Sequence, residues 1–526
     1  VTPDLPGVAG AFQAQAERRP SATFLRYGDD RWTWADVSAQ SHALACALQN
    51  LGVEKGDRVG ISLPNWPEFV LSVLASAELG ATVVPLDPSM ASRDLQFVLR
   101  TTECVAVVTA ERYGSVDYLE LFEAMLSDLP ALQYLVTVGE EDLWYDDRVF
   151  QFEDLVSAGR GQVLRPVEVA DDDPAAILYT AGTSEKHKGV VLSHANLLWT
   201  AERTARALEL DPDDVTLCVV PLSNIFGLGS AFLTSVVAGA GLGLVERFTA
   251  DATLDHVERW SPTVLHGVPT MFVLLRRALG ERSVDLSSLR TGIIAGAPVS
   301  PALVRSVRAE IVPDIEIAYG LTETAPTVTM TGPGDGEARS DSTGRPLDGL
   351  ELRILGAEGP VPVGEIAVRG PNVMLGYFRQ PAATRDTLTP DGFLRTGDLG
   401  SVDEEGYLRV VGRLSDVILR GGYSVHPREV EDHLRSLPAV QEAVVIGVPN
   451  EVLGELVCAC VVPVEGALVT EEEVRELCRP ALAEFKLPDV VVFLDELPEA
   501  ENGRARRAEL SRLMKLRLAT RSRPPA

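Results

Sequence analysis

Between residues 58 and 109 short apolar runs alternate with amphipathic ones: RVGISL (58–63), a helical 67–79, TVVPL (82–86), a helical 92–100 and VAVVT (105–109). Runs that are apolar on both faces and separated by helix-length segments are too far apart for hairpins. They pair through helical crossovers, which yields parallel sheet buried under helices. The rhythm returns in VTLCVV (215–220), a helical 228–238, GLGLV (241–245), TVLHGV (263–268) and TGIIAG (291–296). Between 345 and 412 it gives way to short alternating segments, LELRIL, GEIAVRG and GYLRVVGR, set apart by glycine and acidic turns, which predict a small antiparallel β-barrel or sheet. From about 416 onward a compact α+β pattern follows: helical PREVEDHLRSL, strands VQEAVVIGV and LVCACVVPV, and helical EEEVRELCRPAL. A chain of 526 residues is too long for one core. The expected fold is α/β, with a large N-terminal domain of parallel-rich sheets (1–412, its texture changing near 345), a hinge at 413–416 and a smaller C-terminal α+β domain (417–526).

The formal charge of −29 argues against general affinity for nucleic acid, since a polyanion is repelled by such a surface. Anionic substrates must be met by local groups. The six cysteines form no metal-ligand clusters, and Cys458 and Cys460 alternate on an apolar run as core thiols of a reduced compartment. The opening VTPDLPGVAG lacks a basic region and an apolar region of the secretory kind, so a cytoplasmic setting is expected. The uncharged stretch 227–245 lacks flanking basic anchors and is rich in glycine, which predicts a buried helix running into a strand, with no integral membrane association.

The segment YTAGTSEKHKG (179–189) joins the strand AAILYT to the strand GVVLS. It is not the nucleotide-binding loop that ends in Lys followed by Ser or Thr, because Gly189 follows Lys188. It does present the Thr180, Thr183 and Ser184 hydroxyls, with Lys186 or Lys188 as a source of charge, which are donors suited to phosphate oxygens. Read alone it is equally a polar turn. AYGLTET (318–324) adds an aromatic face, Tyr319, able to stack on a base, and a carboxylate, Glu323, able to hold Mg²⁺. In FLRTGDLG (393–400) the two oxygens of Asp398 could accept both hydroxyls of a ribose, and Arg413 follows in VGRLSD.

Over nearly its whole length the sequence resembles the AMP-forming adenylating enzymes: acyl- and aryl-CoA ligases, luciferases and peptide-synthetase adenylation domains. The matching stretches include WTWADVSAQSHALACAL (32–48), YTAGTSEKHKGVVLSHANL (179–197), PLSNIFGLG (221–229), AGAPVS (295–300), AYGLTETAP (318–326), GEIAVRGPNVMLGYF (364–378), GFLRTGDLG (392–400), GRLSDVILRGGYSVHPREVE (412–431) and LPEAENGRARR (497–507). The resemblance implies a mobile C-terminal lid that rotates between an adenylating and a transfer pose, and the use of ATP, Mg²⁺, a small-molecule acid and CoA or another acceptor by a monomer or homodimer. It implies that Thr180, Thr183, Ser184 and Lys188 contact the ATP phosphates, that Gly296, Ala297 and Tyr319 frame adenine, and that Thr322 touches the α-phosphate. Glu323 would hold Mg²⁺, Asp398 and Arg413 the ribose and its phosphate, and the backbone at Gly421 and Gly422 a pantetheine tunnel. The acid pocket would draw on Asn224, Ile225, Phe226, His266, Ile317 and Ala318, a mostly apolar set suited to an aryl or medium-length acyl group. His194 is expected to be structural.

Several positions depart from the family pattern. Glu185 and His187 stand where glycine and proline are usual, Asn224 where a histidine gate is usual, and Ser415 at the hinge where lysine or aspartate is usual. Arg504 replaces the late lysine that reaches the substrate carboxylate and the α-phosphate, and its planar guanidinium needs more room than an ammonium. The leading expectation is an ATP-dependent ligase that makes acyl-AMP and transfers the acyl group to CoA. Two others stay open: adenylation with different chemistry (nitrite activation with an aryl amine, β-lactone closure, carrier-protein loading), and a nucleotide-binding relative with little turnover.

Overall fold

Strands buried on both faces, such as Ala106–Ala110 and Thr291–Ile294, build two large sheets within one compact unit. The computed structural model describes residues 7–139, 148–180, 188–358, 362–420, 423–450, 452–467, 469–498, 507 and 509–514. The chain divides into Val1–Leu352 with Val368–Leu394, and Arg353–Ala367 with Arg395–Ala526. This division groups 395–412 with the C-terminal residues, ahead of the 413–416 segment.

In the first unit an eight-stranded sheet runs in the order Gly376–Tyr377, Lys188–Ser193, Pro174–Thr180, Thr82–Pro85, Arg58–Ser62, Ala106–Ala110, Tyr134–Val138 and Val149–Gln151. The strands from Pro174–Thr180 to Val149–Gln151 are parallel, and the first two are antiparallel additions. A nine-stranded sheet places Asp314–Gly320, Thr291–Ile294, Val264–Leu265, Val215–Cys218, Gly241–Leu244 and Thr23–Tyr27 side by side in parallel. Helix ends follow local chemistry: Pro67–Leu79 starts on a proline and stops at Gly80 in a left-handed conformation. Asn65 ties the two sheets together. Its side chain donates to the carbonyls of Val220 (3.0 Å) and Val245 (3.1 Å) and accepts from the Leu222 N–H (2.8 Å).

One stretch differs from expectation. The helix predicted over 228–238 is π-wound from Phe226 to Leu233 and α-helical only over Thr234–Ala238. Among the described residues no helix is long and apolar enough to cross a membrane.

In the second unit the short strands form a four-stranded sheet, Glu351–Glu358, Val363–Arg369, Leu394–Val402 and Leu408–Arg413, so the small β element takes the sheet form rather than a barrel. A five-stranded sheet built on the pair Val440–Asn450 and Gly454–Pro463 packs with Pro427–Ser436 and Glu471–Cys478 around its own core. All six cysteines are buried thiols outside any disulfide, Cys458 and Cys460 in that unit.

Candidate active site

Ligands of open parallel sheets bind beyond the carboxyl ends of the strands, and there the nine-stranded sheet gathers several of the expected residues. Gly296 and Ala297 lie exposed just past Thr291–Ile294, and the neighbouring strand Asp314–Gly320 ends on the buried Tyr319. A bulge between Tyr319 and Gly320 re-aims the chain into a short 3₁₀ turn, Thr322–Thr324. That turn is pinned. The Leu321 N–H donates to the Pro326 carbonyl (3.0 Å), the buried Thr324 hydroxyl donates to the same oxygen (2.8 Å), and a Cβ on Gly320 would sit 1.8 Å from it. Thr322 and Glu323 are thereby held half-buried at the sheet edge.

The phosphate-loop strands form a hairpin in which Thr180 pairs directly with Lys188. Thr183 and Ser184 lie outside the described residues, as do Gly421, Gly422 and Arg504. The segment 371–378 then crosses from the hairpin to the turn. Asn196 donates to the carbonyls of Pro371 (2.7 Å) and Val373 (3.0 Å), the Met374 N–H donates to the Glu323 carbonyl (3.0 Å), and the Phe378 N–H donates to the Gly189 carbonyl (2.7 Å). Gly376–Tyr377 pairs with Val190 and Val191.

This crossing delivers a residue that the sequence reading passed over. The Tyr377 hydroxyl donates to Glu323 Oε1 (2.8 Å), and Lys188 Nζ lies 4.6 Å from the centre of the same ring. Burial, reinforced by the charge of Glu323 and the hydrogen bond to it, pushes the phenol well above its ordinary range, so it is a protonated donor. The signal was present in GPNVMLGYF, an apolar segment closing on a hydroxyl-bearing aromatic. Nothing local in that segment names its partners.

The expected acid pocket is only partly assembled. Phe226 packs against the cluster containing Ile293 and Ala318, and its ring centre lies 6.1 Å from that of His266. Ile317 and Ala318 cannot line one wall, because side chains alternate along a strand: Ile317 belongs to the core of Leu265, Ile294 and Phe272. Ile225 is likewise in the main core, and the exposed Asn224 accepts from the Phe226 N–H (2.9 Å), capping the helix start. Glycine permits the close approach of this helix to the Glu323 turn, since a Cβ on Gly229 would lie 2.7 Å from Pro326 Cδ. His266 is 1% exposed; burial lowers its pKa to about 4, and its Nδ1 accepts from the Ile293 N–H (3.0 Å). It is a neutral core ring. His194 is also buried and lowered to about 4 by burial, with Nδ1 accepting from the Val8 N–H (3.3 Å).

In the second unit Asp398 and Arg413 face each other across antiparallel strands, with Arg413 Nε 3.1 Å from Asp398 Oδ1. The carboxylate is buried and the guanidinium about half exposed. Thr396 fixes the turn by accepting from the Asp398 N–H (3.1 Å) and donating to the Ile366 carbonyl (2.8 Å). Ser415 donates to Asp416 Oδ1 (3.1 Å).

Residues 12–378 match the model of the AMP-binding enzyme, and residues 429–504 that of the AMP-binding enzyme C-terminal domain. The chain belongs to the AMP-binding enzyme family. As such it is an enzyme of the AMP-forming acid–CoA ligase type. Within the family it is 31% identical over 540 residues to the mitochondrial medium-chain acyl-CoA ligase of Rattus norvegicus, covering 97% of this chain and 88% of the relative. Its fold is similar to that of an anthranilate CoA ligase solved with anthranoyl-AMP (TM-score 0.86, 27% identity, 98% of this chain and 99% of the other). It is also similar to ATP-bound MatB from Rhodopseudomonas palustris (TM-score 0.84, 29% identity, 96% and 99%).

Proposed function

We propose that this member of the family activates an aryl or medium-chain acyl carboxylic acid with ATP and Mg²⁺ and passes the acyl group to CoA. The observation that carries the reading is the joining of Lys188, Tyr377 and Glu323 at the sheet edge, on a turn that also touches the helix bearing Phe226. The medium-chain ligase and the anthranilate ligase among its relatives support the substrate class, and the apolar wall of Phe226 and Ala318 suits either acid.

In the first step a carboxylate oxygen attacks the α-phosphorus, the bond to the β-phosphate oxygen breaks, and pyrophosphate leaves with the electron pair. In the second the CoA sulfur, its proton lost, attacks the acyl carbon and AMP leaves. The protein's share is positioning and electrostatics. Lys188, Thr180, Thr183 and Ser184 hold the departing phosphates, Thr322 the α-phosphate, and Gly296, Ala297 and Tyr319 the adenine. By the family pattern Asp398 and Arg413 would take the ribose and neighbouring phosphate, Arg504 the substrate carboxylate, and Gly421 and Gly422 the thiol. Lid rotation at 413–416, with Ser415 as pivot, separates the two steps.

Mg²⁺ fits Glu323 by donor chemistry. Among the described residues no cluster of three or more His, Cys, Asp or Glu could enclose a metal. Mg²⁺ needs only one or two carboxylates when substrate phosphates and waters complete its shell. When bound it would neutralise charge on the departing phosphates. A cytoplasmic setting suits six buried cysteines that form no disulfide.

The test is pyrophosphate release on a panel of aryl and C6–C12 acids, with and without CoA. Acid-dependent pyrophosphate together with CoA-dependent thioester is expected. Pyrophosphate without any thioester would overturn the acceptor, and no acid-dependent pyrophosphate would overturn the reading.

A further inference from the structure

An anionic metal ligand and a cationic phosphate ligand placed side by side attract each other, and a direct ion pair would quench both. Glu323 and Lys188 both meet one phenol ring here: its hydroxyl is on Glu323 Oε1 (2.8 Å) and its face is 4.6 Å from Lys188 Nζ. The ring is almost fully buried and its backbone is bound on two flanks. The strand that starts at Lys188 pairs with Gly376–Tyr377, and the Met374 N–H holds the Glu323 carbonyl (3.0 Å). A second anchor fixes the backbone of Tyr377 itself, whose N–H donates to Thr384 Oγ1 (2.9 Å).

From this geometry we propose that Tyr377 is a positioning residue: its hydroxyl fixes the Glu323 carboxylate for a divalent cation, and its ring keeps Lys188 free for phosphate instead of pairing with that carboxylate. The two jobs use different parts of one side chain. The hydroxyl takes a single oxygen of Glu323 and orients the rest of the carboxylate. The ring face offers Lys188 a weak cation–π contact that a phosphate can outcompete, where a carboxylate would not yield so readily. The inference rests on the assignment of Glu323 to Mg²⁺ and Lys188 to phosphate made above.

The separation of roles gives the test. Full-length Tyr377→Phe, Tyr377→Leu and Glu323→Gln are assayed for acid-dependent pyrophosphate release across Mg²⁺ and ATP titrations. Tyr377→Phe keeps the ring and loses the hydroxyl, so its half-saturating Mg²⁺ is expected to rise about ten-fold, the equivalent of one hydrogen bond to a charged group, with KM for ATP within about two-fold. Tyr377→Leu removes both parts, and both constants should rise. If Tyr377→Leu does not fold, Tyr377→Phe decides. A Tyr377→Phe enzyme with lowered Tm and an unmoved Mg²⁺ curve, beside a Glu323→Gln enzyme whose Mg²⁺ curve has moved, would overturn the positioning role and leave the metal assignment standing. An unmoved Mg²⁺ curve in Glu323→Gln would overturn the metal assignment and this inference with it.

Discussion

Two carboxylates in this enzyme meet a cation in opposite ways. Asp398, buried in the second unit, is engaged directly by Arg413 from the facing strand (3.1 Å). Glu323, at the sheet edge of the first unit, is bonded to a phenol whose ring carries the lysine. The difference matches the ligand proposed for each. A carboxylate with two oxygens can take hydroxyl donors from a ribose while still accepting from an arginine. A carboxylate meant for a metal loses more if a cation already occupies it. Charge alone does not define a site; what stands between the charges decides which ligand each can accept.

The two regions should also part under acid. His266 and His194 are both in the first unit, and burial lowers each from an ordinary 6.5 to about 4. The folded unit therefore resists protonation that the unfolded chain accepts, so stability is full above pH 6.5 and is lost as the pH falls toward 4. The expected loss is about 3 kcal/mol for each histidine. All six tryptophans precede residue 261 and so report the first unit. Urea titrations followed by tryptophan fluorescence at pH 7 and pH 4.5 should show a large fall in midpoint, and an unchanged midpoint would remove both histidines from the stability account.

Next in size, Glu323→Gln should cut kcat for pyrophosphate release by about 100-fold at saturating ATP, a loss of about 3 kcal/mol when a metal is no longer held in place. The backbone under Glu323 is tested by Gly320→Ala. Its methyl would enter the space of the Pro326 carbonyl oxygen, costing about 1–3 kcal/mol in urea unfolding. The smallest effect is expected at the other carboxylate. Asp398→Asn retains an acceptor oxygen, so KM for ATP should rise about ten-fold while kcat stays near wild type. If Asp398→Asn lowered kcat and Glu323→Gln raised only KM, the contrast between the two carboxylates would be reversed.

Local chemistry makes much of this legible in the sequence alone. The helix at 67–79 and the strand beginning at 58 stand where proline, glycine and apolar spacing put them, because caps and burial periods act on near neighbours. The ordered motifs were equally plain, and with them the family. The π-winding of 226–233 was not, because the helix packs against Pro326, almost a hundred residues away along the chain, and no local window contains that neighbour. The same holds for the acid pocket. An apolar list could name Ile317 and Ala318 together, but strand alternation sends them into different clusters.

Tyr377 marks the boundary between the two kinds of information. Composition and motif order lead one to expect a lysine for phosphate, a carboxylate for a metal and apolar residues for an acid. That the lysine and the carboxylate share one phenol follows from pairing Gly376–Tyr377 with Val190 and Val191 and docking Met374 on Glu323. Those contacts close loops of tens to nearly two hundred residues. Packing, with its many weak contacts summed over a sheet edge, selects such a juxtaposition, and no window of neighbouring residues contains the terms that set it.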